Sequence, residues 1–169
     1  ILVCNAGITG QAGPFADINM ADYAQVMAIN LRSQVVLSNL AIPHIAKAGG
    51  GAVVLISSLS GLRGNGRINA YALAKAGVAQ LARNLAVEWG PQAIRANAIS
   101  PGFIATELSG PLLADQAFMK RRMAMTPLRR PGIPDEIGGT VVFLTSAAGA
   151  FVTGQNIVVD GGTLITDGS

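Results

Sequence analysis

The 169-residue chain is half apolar, has only 12% charged residues and carries a formal net charge of +3. That length suits one domain with a sizeable core, and a surface so poor in charge predicts that part of the exterior is covered by partner subunits or further chain. No apolar run reaches the ~20 residues of a membrane span, the lone Cys4 excludes a disulfide or thiolate zinc site within the chain, and the basic residues lack the aromatic-interleaved stripe that nucleic acid demands.

Residues 1–4 (ILVC) form a continuous apolar run ending in Asn5-Ala6-Gly7, which predicts a strand buried on both faces. The start lacks an initiating Met and has neither the basic lead nor the cleavage pattern of a signal peptide, so a cytoplasmic protein is expected. Residues 21–47 carry a helical pattern, with Val26, Ile29, Val36, Leu37 and Leu40 as candidates for burial. His44, the only histidine, follows Pro43 without an evident partner and reads as structural or surface. Three glycines at 49–51 break the chain. A second buried strand is predicted over 52–57 (AVVLIS), then the loop SLSGLRGNGR. A long helix follows over 69–89, with Val78, Leu81, Leu85 and Trp89 on one stripe, and Gly90 and Pro91 stop it.

The third strand, 94–99 (IRANAI), runs into Ser100-Pro101-Gly102. The next segment, 103–126, is rich in Leu, Phe and Met. Around its end lies the densest charge cluster: Lys120, Arg121, Arg122, Arg129 and Arg130. It reads as a solvated helix face with its exit loop; contact with an anionic substrate or phosphate is the alternative. Pro134 and Asp135 start a helix over 135–147, and a last strand over 156–160 closes on Gly161-Gly162. With no repeat, low-complexity tract or linker, one domain spans 1–169. The alternation of strand and helix predicts an α/β fold with a parallel sheet and right-handed crossovers. Ligands in such sheets sit at the carboxyl ends of the strands, where Asn5, Ser58, Ser100 and the loop after Pro101 fall.

Tyr71 and Lys75 are the chemically active groups of the stretch NAYALAK. Four residues apart on a helix, they share a face at about 5–6 Å, with Asn69 expected as the N-cap. A free phenol has a pKa near 10 and is a poor acid–base catalyst at neutrality. Unit charges ~4 Å apart at an effective dielectric of about 20 interact by roughly 4 kcal/mol. An ammonium so placed would lower the phenol by about three pH units at most, close to working pH. The spacing alone decides nothing, since a buried tyrosine beside a snorkelling lysine has the same pattern.

Its company gives it meaning. Ser58 lies at the end of the second strand, and Asn30 inside the preceding helix, where an amide has low propensity. With Asn5-Ala6-Gly7 after the first strand, Pro101-Gly102 with Ile104 and Thr106 after the third, and VVDGG at the close, the chain resembles the short-chain dehydrogenase/reductase family through nearly its whole length. The resemblance implies a Rossmann-like sheet, NAD or NADP as cofactor, a secondary alcohol or ketone as substrate, and no metal. It makes Tyr71 the proton carrier, Ser58 the group that holds the substrate oxygen, and Lys75 the contact to the nicotinamide ribose that lowers the pKa of Tyr71. Asn30 would hold a water linking Lys75 to solvent. Asn5, Ala6, Gly7, Pro101, Gly102, Ile104 and Thr106 would border the cofactor. It also implies a homodimer or homotetramer through helices 21–47 and 69–89.

The family's Gly-rich turn has no counterpart here. The glycines at 7–13 and 61–66 lack its spacing at the opening of a helix and are rejected as pyrophosphate sites. The expectation is therefore a part of a longer chain, with three strands and their helices preceding Ile1. The alternative to an enzyme is a catalytically silent fragment acting as an assembly or binding unit. A serine hydrolase built on Ser58 is excluded, because no G-x-S-x-G elbow surrounds it. Segment 103–126 and loop 59–69 are expected to line the pocket, which leans toward a partly apolar substrate and leaves an anionic tail open. The residue that would separate NAD from NADP lies outside this sequence.

Overall fold

Strand β2 (Gly51–Ile56) explains the architecture. Its side chains alternate between two faces, and both are buried. Val53 and Leu55 enter a core with Val78, Ala82 and Leu85, whereas Val54 and Ile56 enter a second core with Ile99 and Leu144. The structure is a computed structural model describing residues 1–167. Among these, β1 (Leu2–Cys4), β2, β3 (Ile94–Pro101) and β4 (Asn156–Val159) form one sheet in the order β1-β2-β3-β4, every pair parallel. Helices α2 (Ser33–Lys47) and α3 (Asn69–Trp89) cover one face, and α6 (Pro134–Thr145) covers the other. The expected Rossmann-like α/β fold is present. Strand β1 departs from its expected double burial: Cys4 is buried, Leu2 half-buried and Val3 exposed, because this strand pairs on one side only.

Segment 103–126 folds into a 3₁₀ turn (Glu107–Ser109) and the short helices α4 (Gly110–Ala114) and α5 (Gln116–Ala124), the latter capped by Asp115. The predicted helix over 21–47 is three pieces. Helix α1 (Met20–Met27) starts on Asn19, whose side chain accepts from the amides of Ala21 and Asp22. A π-helical turn (Ala28–Arg32) joins it to α2, which continues through Pro43. The extra residue in a π turn frees backbone groups, a feature often found at functional sites.

This joint inverts the expected burial. Val26 is buried as expected, but Val36, Leu37 and Leu40 are exposed, by 45%, 48% and 62%, and Ile29 is only half-buried. The inward positions are Asn30, Gln34, Ser38 and Ile42, at steps of four residues. Hydrophobic periodicity assigns the apolar residues to the interior; here that rule fails because the inner stripe serves the end of the sheet with polar groups. Gln34 Nε2 donates to the carbonyl of Asn30 (3.1 Å), while Gln34 Oε1 and Ser38 Oγ are buried without a protein partner among the described residues.

Replacing Gln34 by Met keeps the volume but removes the side-chain donor to the Asn30 carbonyl, together with the unpartnered Oε1. It should cost about 0.5–1.5 kcal/mol of stability, the net worth of one hydrogen bond, read from urea unfolding. An unchanged midpoint would show that the amide does not hold the turn.

Candidate active site

Lys75 is tied twice to the end of β2. Its ammonium donates to the carbonyl of Ile56 at 2.7 Å, and its own backbone carbonyl accepts from Ser57 Oγ at 2.6 Å. The side chain is only 3% exposed. The last residue of β2 and the one after it thereby fix one residue of α3 against the carboxyl end of the sheet. Glycine makes the approach possible: a Cβ on Gly61 would come within 2.7 Å of Ala76 N and 2.8 Å of Lys75 C. Asn69 is the first residue of α3 rather than its cap, and its side chain donates to Gly13 O.

Tyr71 lies one turn before Lys75, with the lysine nitrogen 5.6 Å from its ring centroid. Its phenol is close enough to Ser58 for that hydroxyl to act on its ionisation. Ser58 Oγ accepts from Ser60 N at 3.1 Å, so its own proton is available to the phenol oxygen. The structure thus brings Ser58, Tyr71 and Lys75 together, but the electrostatics differ from the expectation. Burial pushes the Tyr71 phenol above its ordinary value, and the Ser58 hydroxyl opposes this only in part. The ammonium does not lower it here: desolvation acts on both groups and brings Lys75 itself down to about 8. A protonated phenol at neutral pH is the result.

Asn30 stands across from Lys75 with Gly7 between them. A Cβ on Gly7 would lie 3.2 Å from Asn30 Oδ1 and 3.4 Å from Lys75 Nζ. The Asn30 side chain is occupied by the loop: its Nδ2 donates to Ile8 O (2.7 Å) and its Oδ1 accepts from Ile8 N (2.8 Å). It therefore pins the chain that leaves β1. Gln34, which holds the Asn30 carbonyl, was not legible as a site residue; its only sequence signal is its position one turn beyond Asn30.

Asn5 and Ala6 are exposed at the end of β1. Pro101 ends β3, and Gly102 passes so close to β4 that a Cβ would meet Asp160 Cα at 2.6 Å. Ile104 bridges to Gly132, and Thr106 caps the turn over 107–109. Ser100 is not part of this mouth: it is buried and donates to Asn156. His44 is exposed. A cavity of about 90 Å³ lies beside the end of β4, between Phe103, Ile104, Thr126, Leu128 and Asp160. The rejected glycine loops are no anion cradle either: Gln11 N donates to the Asp22 carboxylate, and Gly61 packs on α3. No group of three or more potential metal ligands occurs among the described residues, and no helix is long and apolar enough to cross a membrane.

The residues present fit the nicotinamide-ribose end of a dinucleotide. An ammonium has three donors; one of Lys75's is used by Ile56 O, and the remaining ones face the gap kept open by Gly7.

The Lys75 titration should have its midpoint near 8, read from its side-chain NMR resonances. The unfolded chain keeps an ordinary lysine near 10.5. The folded state therefore sheds its proton first, and stability should rise as pH goes from 8 toward 10. Lys75→Met should abolish that rise. Above about pH 10 the elevated Tyr71 reverses the trend, because the unfolded phenol ionises first. A midpoint at the ordinary lysine value would refute the burial argument.

A family model described as enoyl-(acyl carrier protein) reductase matches residues 1–163. A tropinone reductase homolog of Arabidopsis thaliana is 40% identical over 98% of this chain and 63% of its own length. The cis-4-hydroxycyclohexanecarboxylate dehydrogenase of Sinomonas cyclohexanicum is 38% identical over 96% of this chain and 64% of its own. Among solved structures, a gluconate 5-dehydrogenase from Burkholderia cenocepacia in complex with NADP and tartrate superposes with a TM-score of 0.94 at 33% identity, covering 98% of this chain and 64% of that one. The chain thus spans less than two thirds of the length of these relatives. A parallel sheet of this order, the Ser58–Tyr71–Lys75 cluster at its mouth and sequence identity of this extent have one common explanation: the chain belongs to the short-chain dehydrogenase/reductase family.

Proposed function

We propose that the protein is an oxidoreductase that moves a hydride between NAD or NADP and a secondary alcohol or its ketone. The observation that carries this reading is the buried Lys75 ammonium, fixed on Ile56 O one helical turn from the Tyr71 phenol, with the Ser58 hydroxyl acting on that phenol. In reduction the ketone oxygen would take its proton from the Tyr71 phenol, leaving a phenolate; oxidation would start from that phenolate, which takes the hydroxyl proton back. The nicotinamide, when bound, supplies the hydride acceptor or donor. Every other role falls to this chain.

Ser58 Oγ holds the reacting oxygen, and Tyr71 Oη exchanges the proton. A phenol kept protonated by burial suits proton donation to a ketone at neutral pH. Lys75 would hold the ribose with its free donors and, titrating near 8, pass protons onward from the phenol. Asn30 acts through the backbone: it fixes Ile8 and Gly7, and so the wall facing Lys75. Asn5, Ala6, Gly7, Pro101, Gly102, Ile104 and Thr106 would border the cofactor from the ends of β1 and β3.

The exposed apolar residues Val35, Val36, Leu37 and Leu40 on α2, with Leu73 and Val87 on α3, support assembly into a homodimer or homotetramer through these helices. They equally favour the second reading, an assembly unit without turnover. NADH and NADPH titration, followed by fluorescence with Trp89 as reporter, separates the two.

Tyr71→Phe should lower kcat by about 10²–10⁴, the range for losing a general acid–base group, with cofactor affinity little changed; retained turnover would remove the phenol from the mechanism. Val36→Glu combined with Leu40→Glu should yield monomers in light scattering, and unchanged mass would reject the helix face.

A further inference from the structure

The sequence showed a cluster of cations around the end of segment 103–126, and the structure sorts them. Arg130 pairs with Glu136. Arg129 donates to the carbonyls of Met123 and Ala124 at the end of α5. Arg121 is exposed and lies over the ring of Phe118 at 5.9 Å. Arg122 is different. It is half-buried on α5, and its Nε is buried with no hydrogen-bond partner among the described residues. A buried, unpaired donor on a charged group is costly and marks the place of an acceptor.

The surroundings narrow what that acceptor is. Arg63, from the loop that leaves Ser58, is near enough to press on Arg122 as a like charge, while Asp160 at the end of β4 acts on it with the opposite sign. Asp160 is already engaged: its Oδ1 accepts from Gly162 N (2.8 Å) and its Oδ2 from Leu164 N (2.6 Å). Arg122 thus has beside it a guanidinium of its own sign and a single carboxylate that the backbone has largely consumed. Thr126, which anchors the Arg122 carbonyl at 3.0 Å, also lines the cavity beside Asp160. The loop carrying Arg63 runs from Ser58 to Tyr71, and α5 follows the segment from Gly102. Both therefore flank the mouth of the sheet.

We propose that Arg122, backed by Arg63, binds a carboxylate of the substrate, so that the alcohol or ketone is a hydroxy acid or keto acid. This rests on the oxidoreductase reading and names its substrate class. Guanidinium is suited to the task because its planar fork matches a carboxylate and stays charged when partly buried. The carboxylates in the names of two relatives, the cyclohexanecarboxylate substrate and the bound tartrate, agree with it.

The test has a catalytic arm and an equilibrium arm. In the first, cis-4-hydroxycyclohexanecarboxylate, its methyl ester and cyclohexanol are compared as substrates. The acid should exceed the ester in kcat/KM by about ten- to a hundredfold, as expected for a charge-assisted hydrogen bond. Arg122→Gln should bring that ratio close to one, mainly through KM, and Arg122→Lys should restore part of it. Turnover of all three with no preference for the acid would overturn the carboxylate site while leaving the oxidoreductase intact. In the second arm, succinate is titrated against the protein by calorimetry, with succinamide and inorganic phosphate as controls. Succinate should bind at least tenfold more weakly to Arg122→Gln, and also to Arg63→Gln, which covers the case that the first variant does not fold. Succinate binding without turnover of any alcohol would sink the oxidoreductase reading and keep the anion site. Equal binding of phosphate, or binding indifferent to both substitutions, would overturn the proposal.

Discussion

One residue holds the site to the scaffold. Lys75 is joined to β2 through both its side chain and its backbone carbonyl, at Ile56 O and Ser57 Oγ. An ammonium this deeply buried is disfavoured by lost hydration, and the carbonyl at the strand end offsets part of that cost. The tie sets the axial position and rotation of α3 against the sheet. Tyr71, one turn earlier, can then face only the residue that follows Ser57 in the chain, which is Ser58. The alignment of the serine hydroxyl and the phenol is thus a consequence of how one helix is fastened, rather than of contacts each group makes independently.

The same constraint explains why the inner face of α2 is polar. Asn30 and Gln34 form a short stack of amides that fixes the π turn, Ile8 and the wall opposite Lys75. Hydrogen-bonded amides define one geometry, where aliphatic side chains would tolerate several. The apolar residues displaced from that face, Val36, Leu37 and Leu40, lie outward. The scarcity of charge in the composition and the exposed stripe on α2 are therefore two views of one arrangement.

Much of this was legible beforehand. The four strands and the helix 69–89 could be read because buried parallel strands are continuous apolar runs and because Gly and Pro end their neighbours. Tyr71 and Lys75 stand out amid Ala and Leu, but they are singled out with Ser58 by the resemblance to a family rather than by their spacing. The π turn could not, since no residue pattern announces an added backbone residue. Gln34 stayed hidden because its partner is a backbone carbonyl, that of Asn30, which no residue letter marks. The side-chain partner of Asn30 was not legible either, because it is the Ile8 backbone, 22 residues away in sequence.

What the amino-acid order settled by itself was the alternation of elements and the parallel sheet, which follow from local periodicity and residue type. What the tertiary structure decided was the electrostatics. Whether a phenol is acidified by a nearby ammonium or held protonated by burial depends on the solvent each has lost, and here burial prevails at both. Which of several neighbouring arginines lacks an acceptor is likewise a matter of three-dimensional surroundings, because charge is written in the sequence but desolvation is not.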